Sequence, residues 1–191
     1  FFLNMTLQKK PNFIIIGAMK AATTSLYTYL KQHPDVFMTA IKEPMFFNNF
    51  QNNNNFKVLG KKTKKITTFE QYYPLFDSVK NEKAIGEASP AYLYNENCPN
   101  LIKQHLPNAK IIAILRQPVA RAYSNFLHAR RADREPIADF ETAFNKETER
   151  KTKNWSPLYH YKGKGYYAEQ LEQYFTLFPK ENIKVLLFED L

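Results

Sequence analysis

The sequence predicts an α/β fold, a central parallel sheet flanked by helices, and three observations predict it. Short apolar runs at 12–17, 83–87, 110–115 and 183–188 have the length and β-branched composition of buried strands. Helical patterns separate them, with prolines standing where those patterns should start or stop. The first run also ends in Gly17 and passes through a small-residue turn into a helical pattern, the strand-to-helix connection at which such sheets hold ligands.

Taken in order, strand 12–17 is followed by a helix over 24–32 that His33-Pro34 closes, because the residue before a proline disfavours helix. A short extended piece at 36–39 leads into Ile41-Lys42-Glu43-Pro44-Met45-Phe46-Phe47. The polar stretch 51–55 and the lysine-rich 57–65 read as a solvated excursion, since runs of like charge stay in water. Aromatic residues at helical spacing over 68–76 indicate core. Strand 83–87 precedes Ser89-Pro90-Ala91-Tyr92, helix 99–106 ends at Pro107, and strand 110–115 follows at once. Pro118 opens a helix to about 132, and 136–150 and 165–178 read as two more before the last strand.

At 191 residues, with 44% hydrophobic and 24% charged residues, the chain is a folded protein with a proper core, and disorder is excluded. It is expected to be a single domain over 1–191 that lacks a C-terminal segment, because a strand so near the end normally feeds another element. Twenty-seven Lys and Arg against 18 Asp and Glu give +9, which favours anionic partners without choosing among them. Cys98 is the sole cysteine, which excludes an internal disulfide and a cysteine-rich zinc site and points to a reducing, cytoplasmic compartment. No run approaches the roughly 20 apolar residues of a membrane-spanning helix.

Two stretches carry chemistry. In the first, Gly17-Ala18-Met19-Lys20-Ala21-Ala22-Thr23-Thr24-Ser25, a helix start with unpaired N–H groups is flanked by small residues and a lysine, the makings of a phosphate cradle. Its spacing departs from the G-x-x-x-x-G-K-[ST] of ATP and GTP loops, because Lys20 comes three positions after Gly17 and the threonines come later. In the second, the strand 110–115 ends in Arg116, where a nucleoside triphosphatase would need a magnesium-holding aspartate. Arg116, with Ser124 two helical turns along, can grip a second phosphate through a charge-assisted fork and a hydroxyl. Two anion grips without a metal carboxylate indicate a nucleotide phosphorylated at both ends of its ribose.

In order and spacing, I-I-G-x-x-K-x-x-T-T-S-L, K-E-P-x-F-F, G-E-x-S-P-x-Y, L-R-x-P-x-x-R-A-x-S and G-Y-Y-x-x-x-L resemble the sulfotransferases that use 3′-phosphoadenosine 5′-phosphosulfate (PAPS), nearer the carbohydrate, heparan sulfate-type and bacterial branch. The resemblance runs from Pro11 to Leu191 and implies a three-layer, P-loop-like fold. It implies that Lys20, Ala21, Ala22, Thr23, Thr24 and Ser25 hold the 5′-phosphosulfate and that Arg116 and Ser124 hold the 3′-phosphate. It further implies Glu43 as general base and Lys20 as stabiliser of the leaving phosphate, with PAPS as co-substrate, adenosine 3′,5′-bisphosphate (PAP) as product and no metal. The implied partner is an acceptor hydroxyl or amine, carbohydrate being one class, and not nucleic acid. Oligomeric state stays open.

Two positions depart from the family pattern. Ala22 stands where glycine is common, at a cost of roughly 1 kcal/mol if its φ is positive. Ala88 stands where some heparan sulfate enzymes carry an acceptor-binding lysine, so heparan sulfate itself is not implied. Other readings of single residues remain beside these: Glu43 as a helix cap, Glu87 and Ser89 as acceptor-side or structural, His128 and Arg130 as acceptor-side or surface, Arg121 as structural, and Tyr92, Tyr166 and Tyr167 as core or adenine-stacking. For the whole chain the competing functions are a magnesium-dependent kinase or nucleoside triphosphatase and a non-catalytic polyanion-binding module.

Overall fold

Five strands, β1 (Phe13–Gly17), β2 (Val36–Met38), β3 (Ala84–Ala88), β4 (Lys110–Leu115) and β5 (Ile183–Leu187), form one sheet in the order β2-β3-β1-β4-β5. Every pairing is parallel, with Phe13 opposite Gly86 and Lys110, and Ile111 opposite Ile183. The computed structural model describes residues 8–50, 55–60 and 65–191. Most of the predicted polar excursion, including lysines 61, 62 and 64, lies outside the described residues.

All of β1 is buried, as a central parallel strand must be when helices cover both faces. Its side chains divide the interior by alternation. Ile14 and Ile16 enter a large cluster with Tyr72, Phe76, Ile102, Leu171 and Tyr174, whereas Phe13 and Ile15 pack with Tyr27 and Met38. The first cluster is built on α4 (Cys98–His105) and α8 (Tyr167–Leu177), the second on α1 (Thr23–Leu30). Each fully buried isoleucine contributes about 1.5–3 kcal/mol by leaving water.

The chain moves from β1 outward to β2, back through β3, and then crosses to β4 on the other side. The strand order therefore reverses around β1, and the crevice outside its carboxyl end is where open α/β sheets bind ligands. Gly17 makes that crevice geometrically possible, since a Cβ there would stand 2.7 Å from Leu93 Cβ and 3.2 Å from the Pro90 carbonyl oxygen.

Three predicted helices differ. The 136–150 segment is two short helices, α6 (Phe140–Asn145) and α7 (Glu147–Thr152). Asp139 starts the first by accepting from Thr142 N–H at 2.7 Å, and Lys146 is the joint between them. Over 68–76, α3 (Phe69–Tyr72) gives way to a 3-10 turn (Tyr73–Phe76), because Pro74 has no N–H for an α-helical bond. The 165–178 pattern resolves into a separate 3-10 turn (Gly163–Gly165) and α8. Two helices complete the site's surroundings: α2 (Phe46–Asn49) and α5 (Pro118–Arg131), where Pro118 opens the helix as predicted.

Candidate functional site

The β1–α1 loop carries Lys20, Ala21 and Ala22 into Thr23, Thr24 and Ser25. Ala22 is the N-cap of α1 with φ 59°, and no side chain caps that helix start. The first-turn N–H groups therefore keep the positive end of the helix for an outside anion. Thr23 and Ala21 are buried, Thr24 and Ser25 exposed, and Lys20 half-buried. The loop is braced from behind by Ala18 N–H donating to the Ile114 carbonyl at 2.7 Å.

Arg116 leaves the end of β4 and donates through Nη1 to the Lys20 carbonyl at 3.1 Å. The two sequence stretches that carry chemistry thus meet, although 96 positions separate them. The guanidinium also lies over the Phe188 ring, 4.4 Å from its centroid, and the Arg116 carbonyl accepts from Tyr167 Oη at 2.9 Å. Ser124 is half-buried on α5, one helical turn before His128 and two before Ala132, so the Ser124–His128 side of the helix forms one stripe.

Glu43 reaches the same place by a different route. Its N–H donates to the Ala88 carbonyl at 3.0 Å, and the Met45 N–H donates to Ser89 Oγ at 3.0 Å, so the K-E-P turn hangs from the end of β3. Beneath it, Glu87 is fully buried and accepts from Tyr72 Oη at 2.7 Å, Tyr92 Oη at 3.0 Å and Ser89 Oγ at 2.9 Å. Burial pushes the Glu87 carboxyl up to about 7 against those three hydrogen bonds, which favour its charged form. Glu87 and Ser89, both fully buried, therefore hold the Glu43 turn from below. Glu43 does not cap α2 either, since Met45 is the N-cap there, without a side-chain cap. Its carboxylate is exposed and ion-paired with Lys42.

Electrostatics joins these parts. Burial holds the Lys20 ammonium below the usual lysine value; Glu43 pulls it the other way, and Arg131, Lys42 and Arg116 add to the depression. The His128 imidazole is likewise lowered by burial, then by Lys20 and Arg134, with Glu43 opposing and Arg131 adding to it. The Glu43 carboxylate thus stands among a lysine, arginines and an imidazole. Strain collects here too: of six non-glycine residues with positive φ among those described, Lys20, Ala22, Glu43 and Met45 lie in these two loops. Such backbone costs of order 1–3 kcal/mol each and gathers where a site needs a particular geometry.

Among the other residues singled out, Arg121 is fully buried and structural, donating to the Tyr161 carbonyl at 2.6 Å and to Asn125 Oδ1 at 3.4 Å. Tyr92 is core, Tyr166 is exposed, and the half-buried Tyr167 donates through its hydroxyl to the Arg116 carbonyl. Sequence reasoning missed Lys42 and Arg131 as neighbours of Lys20. The lysine's adjacency to Glu43 was a usable signal; nothing in the spacing pointed to Arg131. Among the described residues no group of three or more His, Cys, Asp or Glu is placed to hold a metal ion.

A family model described as "Sulfotransferase family" matches residues 11–191. A solved structure of a sulfotransferase from Alicyclobacillus acidocaldarius is 38% identical and superposes with a TM-score of 0.88 over 95% of this chain and 74% of that one. A Dictyostelium discoideum protein named membrane-associated sulfotransferase kil1 is 37% identical over 116 residues, 61% of this chain and 22% of that protein. The mouse bifunctional heparan sulfate N-deacetylase/N-sulfotransferase 4 is 29% identical over 189 residues, 95% of this chain and 20% of that protein. The chain thus spans about a fifth of these two relatives. The cytoplasmic location expected from the lone cysteine is overturned, since a relative is by name membrane-associated. A single cysteine rules out an internal disulfide and does not report an address. No helix among the described residues is long and apolar enough to cross a membrane.

Proposed function

The chain belongs to the sulfotransferase family, and from that membership we propose that it moves a sulfuryl group from PAPS to a hydroxyl or amine of an acceptor. The observation that carries this reading is the bond from Arg116 Nη1 to the Lys20 carbonyl, which unites a lysine loop at a helix start with an arginine at a strand end. The residues fit a nucleotide with two separate phosphoryl groups. The uncapped start of α1, flanked by Ala21 and Ala22, takes the 5′ end with Lys20, Thr23, Thr24 and Ser25. Arg116 and Ser124 take the 3′-phosphate.

PAPS supplies the activated sulfuryl group. Glu43 takes the proton that the acceptor oxygen or nitrogen loses, a role its exposed, ion-paired carboxylate supports. Lys20 meets the charge that develops on the leaving phosphate. The names of the heparan sulfate relatives favour a carbohydrate acceptor.

Calorimetric titration with PAP and with ATP, each with and without magnesium, tests the reading. Binding of PAP without magnesium, at least tenfold tighter than ATP, is expected. Magnesium-dependent ATP binding with no affinity for PAP would overturn it in favour of a nucleoside triphosphatase or kinase.

A further inference from the structure

Behind the phosphate loop lies a lysine that the reading above does not use. Lys164, in the turn Gly163–Gly165, is only 5% exposed, and its Nζ stands 3.2 Å from the sulfur of Met19, the residue preceding Lys20. A thioether is a weak acceptor and does little for a buried ammonium. The Tyr94 ring lies 5.8 Å from Nζ. With Ala18, Leu93 and Gln170, these residues line a small pocket under the loop.

The charged groups around this lysine do not neutralise it. From α5, Arg121 faces it as a second buried cation; from α7, Glu147 is the carboxylate in range. The Glu147 oxygens are already engaged by Lys162 N–H, by Gly163 N–H at 3.0 Å and by Lys151 Nζ at 2.6 Å. His160, whose Nδ1 is 3.0 Å from Tyr94 Oη, is held down to about 4 by burial first and then by Lys164 and Lys151, so it is uncharged near neutrality and neither offsets nor adds to the charge on Lys164. Burial, then Arg121, lowers the Lys164 ammonium to about 7, with Glu147 opposing. A folded value below the free one means that folded-state stability rises with pH from about 7 toward 10.5.

We propose that Lys164, buried against Met19 behind the phosphate loop, is a positioning residue of that loop whose charge rises when phosphates fill it. Met19, which Lys164 touches, directly precedes Lys20 in the loop whose far end is the Ala22 N-cap of α1, and an anion held in that loop favours the charged form of Lys164. Nucleotide binding therefore draws a fraction of a proton from solvent onto Lys164, whose side chain backs Met19 beneath the loop. This inference rests on the proposed binding of PAP.

The test is calorimetry of PAP binding at pH 7.5 in two buffers of different ionisation heat, for the wild type and Lys164→Met, whose unbranched apolar chain fills the same volume. If binding raises the lysine by about one unit, the wild type takes up about half a proton more per nucleotide than the variant. A second measurement needs no variant: with lysines labelled at Cε, one resonance should titrate near neutrality in the free protein and shift upward when PAP is added. Ordinary PAP binding with equal proton uptake in both proteins, or no lysine titrating below pH 9, overturns the Lys164 assignment alone. No binding of PAP by the folded wild type overturns the donor reading itself.

Discussion

Glu43 shows how much the placing of one side chain depends on the residues buried beneath it. Its turn is carried by Ala88 and Ser89, and they in turn by a buried Glu87 with three hydroxyl partners. Glu43→Gln should lower turnover by ~10²–10⁴ while leaving PAP affinity within about twofold, read by single-turnover assay and calorimetry. Arg116→Ala should act in the opposite sense. It removes a charge-assisted contact of roughly 1.5–3 kcal/mol and should weaken PAP by about 10- to 100-fold, in the same titration. For Glu87 the folded carboxyl is raised, so the stability it contributes is full below about pH 4.5 and is lost as pH climbs through about 7. Urea unfolding of the wild type should weaken by up to roughly 3 kcal/mol between pH 4.5 and 8 from this group alone. Glu87→Gln should flatten that slope.

At the scale of elements, the sheet depends on close approach at its centre. A Cβ on Gly86 would fall inside the Phe13 ring carried by the neighbouring strand. Gly86→Ala should cost about 1–3 kcal/mol by overpacking, visible as a lower midpoint in chemical denaturation with an unchanged slope. The start of α1 offers the converse. Ala22 holds φ 59°, so Ala22→Gly should stabilise by about 1 kcal/mol at most. The element boundaries most legible in the sequence were those that proline or glycine punctuates, at Gly17, Pro107 and Pro118. The 136–150 pattern reads as one helix because its periodicity continues across Lys146, whereas Asp139 caps the start of the first piece and Lys146, at φ −78° and ψ −2°, joins it to the second.

The molecule as a whole is organised by contacts between distant segments. The buried pair of Arg150 with Glu135, at 2.6 Å and 2.7 Å, ties α7 to the segment that follows α5, and Tyr161 Oη adds a third bond to Glu135 at 2.7 Å. Arg150→Ala leaves a buried carboxylate uncompensated and should cost about 3–5 kcal/mol, measured by thermal or urea unfolding. The sequence alone determined the α/β class, the strand-to-helix cradle at Gly17 to Ser25, the arginine at the end of β4 and the resemblance they support, because these are local patterns whose periodicity and spacing survive in one dimension. It misjudged cellular location from a cysteine count and left Glu87, Ser89 and Lys164 undecided or unremarked. Only the tertiary structure brought Arg116 to the Lys20 carbonyl, set Glu43 among the cations around it, and placed Lys164 against Met19. Those pairings join residues 23 to 145 positions apart. The crossing of a parallel sheet decides them, and no local spacing encodes that.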